Sequence, residues 1–161
     1  MPVGRLGDDE RAVLAALITR WAASEHETQE VVLAVDQLPV SKFSDAGQQH
    51  RWFIRIRGEE KEVSTIWLTL REQTLHYETQ FMPSPEENRE ALFEYLLRLN
   101  NRLFAMRFAI GDEDAVYLVG QLPLAALDEE ELDRIVGSTY AYVEQWFRPA
   151  MRIGYESKFK G

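Results

Sequence analysis

LRLNNRLFAMRFAIGDED, residues 97–114, sets two adjacent asparagines between an amphipathic run and an alternating apolar run, with Arg98, Arg102 and Arg107 around them. Amide and guanidinium groups that converge can hold a phosphate or a carboxylate. The same letters also suit a helix end turning into a strand, and that reading organises the rest of the chain. Asparagine tolerates the left-handed backbone that closes many helices, and Arg98 and Arg102 complement the partial negative charge of a helix C-terminus. Asn100 and Asn101 are therefore read as a corner, with a helix before it and a hairpin after it.

Upstream, MPSPEENREALFEYLLRLNN (82–101) places Ser84 as N-cap, Pro85 at the first helical position and Glu87 three residues on, the pattern of a capping box. Leu92, Leu96 and Leu99 form one stripe, flanked by Phe93 and Leu97. Downstream, Phe104, Met106, Phe108 and Ile110 alternate with Ala105, Arg107 and Ala109, and GDED turns the chain into AVYLVGQLPL. Gly120 in that second strand marks either a bulge or a close approach by another element.

Before the corner, three segments predict a meander. In RWFIRIR, Trp52, Ile54 and Ile56 alternate with Arg51, Phe53, Arg55 and Arg57, and a turn over Gly58–Lys61 follows. Val63–Leu70 is apolar or β-branched at nearly every position, as expected of a central strand covered on both faces. TLHYETQF sets Leu75, Tyr77, Thr79 and Phe81 on one side. Earlier still, Leu14, Leu17, Ile18 and Trp21 recur at helical spacing, and Val31–Val35 reads as a short strand ahead of Pro39. A last helix is expected to start at Asp128, with Glu131 repeating the capping logic, and to bury Leu132, Ile135, Val136, Thr139, Val143 and Trp146. Pro149 is expected to end it. Gly137 is read as a point of close helix packing, and Ile153, Tyr155 and Phe159 as residues able to tuck against the domain.

The 161 residues include 45% hydrophobic and 28% charged side chains, the balance of an ordinary globular chain able to bury one core. A formal net charge of -9 repels a phosphate backbone, so nucleic acid is not an expected partner. Cysteine is absent, which removes disulfides, thiolate nucleophiles and Cys-ligated zinc. No apolar leader or membrane-length stretch is visible, and a cytoplasmic location is expected.

Chemistry-bearing patterns are sparse. His26, His50 and His76 share no ligand spacing, and the acidic tip Asp112, Glu113 and Asp114 lacks the longer array of an EF-hand. GxSxG, GxxxxGK[ST] and GxGxxG are all missing. The one distinctive surface is the cationic strand face Arg51, Phe53, Arg55 and Arg57, where arginines clamp carboxylates and a phenylalanine anchors an apolar side chain. Cross-strand pairing with neighbouring acids is the structural alternative.

The pieces YET, MPSPEEN, YLLRLNN, FAIGDEDAVYLVGQLPL, ELDRIVG and VEQWF, in that order, resemble the YbjN-domain family in its actinobacterial branch. They cover about half the chain, and residues 1–50 match less distinctly. The resemblance implies an α+β fold similar to type III secretion chaperones: a twisted antiparallel sheet with three helices, in the order α-β-β-β(-β)-α-β-β-α. It also implies frequent dimerisation, a role in protein binding or regulation, and no established catalytic residues or cofactor. The expectation is a single YbjN-like domain over 1–161. It acts as a non-enzymatic adaptor or chaperone-like homodimer, joined through the middle helix and the last hairpin. Its partner is another protein or peptide, held at Arg51, Phe53, Arg55 and Arg57. A small-ligand binder or enzyme with a site in the sheet's concavity is the competing reading, and a subunit of a larger assembly is a third.

Overall fold

The computed structural model describes residues 7–41 and 49–159. Helix α1 (Asp8–Thr28) leads into strands β1 (Val32–Ser41), β2 (Gln49–Arg57), β3 (Val63–Leu70) and β4 (Thr74–Met82), then helix α2 (Arg89–Leu99), strands β5 (Arg107–Ile110) and β6 (Val116–Pro123), and helix α3 (Glu129–Gly154). The strands form one antiparallel sheet in the order β1-β2-β3-β4-β6-β5. Residues 42–48, within the polar SKFSDAGQQ stretch, lie outside the described residues.

Register explains the layering. Trp52 stands opposite Leu68, Leu68 opposite Tyr77 and Tyr77 opposite Gly120, so the alternate residues of four strands share one face. Ile54, Ile66, Thr79, Leu118 and Phe108 form the next row on that face, and all five are buried. The helices cover this side: α1 contributes Ile18 and Trp21, α2 Leu92, Leu96 and Leu99, and α3 Leu132, Ile135, Val143 and Trp146 to one buried cluster. Burying apolar area at about 25 cal/mol per Å² makes that cluster the dominant favourable term. Polar tips inside it are satisfied: Trp52 Nε1 donates to Thr19 Oγ1 at 3.0 Å and Trp21 Nε1 to Asp133 Oδ1 at 2.8 Å, tying α1 to the sheet and to α3.

Several local expectations change. β1 is twice as long as the Val31–Val35 segment, which an edge strand allows because a proline there need not cost a ladder bond. β3 is packed throughout on one side only: on the other face Thr65 and Trp67 are partly exposed and Thr69 alone is buried. β5 begins at Arg107, and both ends of the predicted apolar face are exposed, Phe104 at 67% and Ile110 at 54%.

Helix α2 does not start on Ser84. Its N-cap is Asn88, held in the left-handed region at φ 51°, and α2 begins at Arg89. The residues expected to cap it are engaged elsewhere. The backbone N–H groups of Glu86 and Glu87 donate to the Gly154 carbonyl at 3.0 and 2.9 Å, Asn88 Nδ2 donates to the Ile153 carbonyl at 2.9 Å, and Glu87 Oε1 accepts from Ser157 N. MPSPEEN is a clamp on the far end of α3, which supplies the orphan carbonyls there with donors.

That clamp also explains why α3 passes Pro149 and continues to Gly154. One missing backbone donor is outweighed by tertiary contacts beyond it: Ala150 is fully buried, and Tyr155 is buried with its hydroxyl donating to the Ser84 carbonyl at 2.5 Å. Phe159 stays 46% exposed and does not tuck in. Asp128 caps α3 as expected, accepting from Glu131 N at 2.8 Å, while the Glu131 carboxylate turns to Arg134. Gly137 faces open space with nothing near an added Cβ, so close packing is not its role.

Candidate functional site: the open face of the sheet

The corner at Asn100 answers the opening ambiguity in favour of structure, through a different contact from the one expected. Asn100 is not left-handed: its φ and ψ are -57° and -24°. Its side chain works instead. Phe108 N donates to Asn100 Oδ1 at 2.7 Å, and Asn100 Nδ2 donates to the Phe108 carbonyl at 3.2 Å. The amide thus pairs with both outward-facing backbone groups of Phe108, as a neighbouring strand would. The left-handed residue of this loop is Ala105, at φ 57°.

The surface left for function is the other face of the sheet. Its central row runs Asp36, Phe53, Trp67, Glu78, Val119 and Arg107, each opposite the next across adjacent strands. No described helix covers it. Phe53 and Trp67 meet edge to face with centroids 5.7 Å apart, and the Arg51 guanidinium lies 4.2 Å over the Trp67 ring. Arg51 also pairs with Glu78 at 3.5 Å, so the cross-strand alternative holds for that arginine. Arg55 and Arg57 are exposed and form no ion pair among the described residues, although Arg55 lies 5.7 Å over Phe53. The four expected residues are brought together along β2. Sequence reading missed their neighbours Trp67, His76, Glu78 and Tyr117, although period-two alternation in β3, β4 and β6 places them on the same side.

The histidines do not converge. His50 Nδ1 lies 3.3 Å from Gln37 Nε2 on the helix side, whereas His76 Nε2 lies 3.6 Å from Glu78 on the open side. No metal-holding cluster of His, Asp and Glu occurs among the described residues. Burial, and then the positive charge of Arg11, pushes the His50 pKa down; burial, and then Arg71, does the same for His76 against the opposing pull of Glu78. The unfolded chain therefore binds protons first, and stability contributed by these neutral rings is lost as pH falls from about 6.5 toward the lower folded-state values. An NMR titration is expected to give both rings midpoints under that of a free histidine. A His76 midpoint above it would mean that Glu78 outweighs burial and the arginines.

Comparison with known proteins places the chain. Residues 14–150 match the sequence profile of the YbjN family, described as "Putative bacterial sensory transduction regulator". The match reaches back across most of the first 50 residues, where the motifs were indistinct. The chain is 29% identical to an uncharacterized protein of Mycobacterium leprae over 88% of its own length and 79% of the relative's. It is 32% identical to an uncharacterized protein of Mycobacterium tuberculosis, over 80% and 70% of the two chains. In structure it is similar to a chain of the ExsC–ExsE complex, with a TM-score of 0.55 at 18% identity, covering 84% of this chain and 94% of that one. The α+β architecture is thus shared with that chain. No described helix is long and apolar enough to cross a membrane. With its profile matched over most of its length and its fold as that resemblance implied, the chain belongs to the YbjN family.

Proposed function

We propose that this chain is a protein-binding adaptor of the chaperone-like, regulatory kind, without catalysis of its own, which works as a homodimer in the cytoplasm and captures a partner segment on the open face of its sheet. The observation that carries the reading is that uncovered face itself, with an aromatic pair at its centre and exposed arginines along β2 on a chain of net charge -9. The family description and the chaperone fold support it. The test is Arg55→Glu with Arg57→Glu, which is expected to lower capture of a co-purified partner at least fivefold while the circular dichroism spectrum is unchanged. Equal capture by the variant removes the partner site from β2.

Self-association has a separate surface. Leu97 on α2 is 66% exposed, and with Phe93, Leu96, Phe108 and Ile110 it lines an apolar recess of 210 Å³ between α2 and the β5 edge. The adjoining groove along α2, which shares Phe93 and Leu97, is lined by Arg89, Glu90, Glu94 and Arg98, two charges of each sign, so two copies are not repelled there. Leu97→Glu is expected to convert dimer to monomer in sedimentation velocity at micromolar concentration. A wild-type chain that sediments as a monomer at that concentration refutes the dimer.

A further inference from the structure

The open face is not uniformly cationic. Between Arg51 and Trp67 on one side and Tyr117 and Val119 on the other lies a depression of 450 Å³, also lined by His76, Glu78, Ile110 and Asp112. Its two ends carry opposite charge. At one end, Arg51 surrenders one nitrogen to Glu78, and Arg71 and Arg107 act on His76 without an ion pair of their own among the described residues. Arg51 Nε and His76 Nδ1 are buried there and have no hydrogen-bond partner. At the other end Asp112 lines the depression with Glu113 next to it, and burial, then the charges of Asp112, Glu78 and Glu113, push the Tyr117 hydroxyl pKa up.

Spacing sets what fits. His76 lies opposite Gln121 and Gln80 opposite Tyr117, so the two ends are four residues apart on β6, about 13 Å in an extended strand. Trp67 and Val119 sit in the row midway, both opposite Glu78. An extended chain presents residues i, i+2 and i+4 on one side with the same repeat.

We infer that this depression receives an extended segment of a partner protein bearing an acidic side chain, an apolar one two residues on and a basic one two residues further. The carboxylate meets the guanidinium charge of Arg51, Arg71 and Arg107. The apolar side chain lies on Trp67 and Val119, and the basic one faces Asp112 and Glu113. This rests on the adaptor reading above and specifies the chemistry of the segment recognised.

The probe is the synthetic pentapeptide acetyl-ETLTK-amide, titrated into the full chain while NMR follows the Trp67 indole and the His76 ring. Acetyl-QTLTQ-amide is the neutral control. The charged peptide is expected to shift both signals and to bind about tenfold more tightly than the control, a difference of about 1.4 kcal/mol. Arg71→Gln with Arg107→Gln, both exposed and outside the core, is expected to remove most of that preference. Equal affinity for the two peptides overturns the assignment, as do shifts confined to other surfaces or a preference that survives the double variant. Free glutamate acting at the same concentrations also overturns it, in favour of a small-molecule site. If the peptide fails while partner capture still depends on Arg55 and Arg57, this assignment falls and the adaptor reading stands.

Discussion

Asn100→Ala is expected to cost about 3 kcal/mol, because it strips a donor and an acceptor from one residue at once and leaves the backbone N–H and C=O of buried Phe108 without partners. For a chain of this size that corresponds to a melting temperature lower by about 6–12 °C. Asn101→Ala is expected to be nearly silent, since Asn101 is exposed and contributes a backbone bond to the Arg98 carbonyl that alanine retains. Asn100→Asp separates the two halves of the amide. A carboxylate still accepts from Phe108 N but faces the Phe108 carbonyl, and it regains a donor only when protonated. Its deficit relative to the wild-type chain is therefore expected to shrink as pH falls toward about 4. A second consequence concerns association. β5 lies at the edge of the sheet, and edges with open backbone groups recruit other strands. The Asn100 amide occupies that position, so its removal is expected to raise light scattering at concentrations where the wild-type chain stays clear. If Asn101→Ala proves as damaging as Asn100→Ala, the pairing with Phe108 is not what holds the corner.

The corner also shows how far local sequence reaches. Wherever periodicity acts through many residues, as in Trp52, Ile54 and Ile56 of β2 or the Leu132–Trp146 stripe of α3, one face must be buried and the sequence alone shows which. Helix boundaries follow a different logic. Ser84, Pro85 and Glu87 satisfy every local rule for starting α2, but the same backbone donors also serve carbonyls at the end of α3, a competition between elements some 70 residues apart. Pro149 is misread for the same reason: the contacts that carry α3 past it come from that distant clamp. The site suffers from a related blindness. Alternation in β2 exposes Arg51, Phe53, Arg55 and Arg57 together, but strand order and register decide that Trp67, Glu78 and Val119 stand beside Phe53. Period-two patterning leaves both order and register open. Gly137 and Gly120 are the sharpest pair: each follows a valine in the sequence, but only Gly120 is constrained, while Gly137 faces open space.

Gly120→Ala is expected to be more damaging than a methyl group suggests, at about 3 kcal/mol or more. An added Cβ would stand 2.4 Å from both the Ala105 carbonyl oxygen and the Tyr77 ring, closer than real contacts permit. Neither neighbour is free to yield. The Tyr77 ring is fully buried between strands, and its hydroxyl donates to that same Ala105 carbonyl at 2.8 Å. Ala105 in turn is a non-glycine residue at φ 57°, a conformation that persists only where surrounding contacts enforce it. Gly120, Tyr77 and Ala105 therefore form a closed set: the absent side chain makes room for the ring, the ring's hydroxyl fixes the carbonyl, and the carbonyl holds the loop that delivers β5 to Asn100. Relieving the clash means breaking the hydrogen bond or moving the loop, and either one disturbs the corner. Gly137→Ala provides the internal contrast. It lies mid-helix with nothing near its Cβ position, and alanine there is expected to stabilise by about 0.5–1 kcal/mol by reducing the freedom of the unfolded chain. Chemical denaturation of the two variants decides the matter. Opposite signs place the close approach at β6, whereas a tolerated Gly120→Ala would mean that the Ala105 loop stands off the strand and that Tyr77 does not pin it.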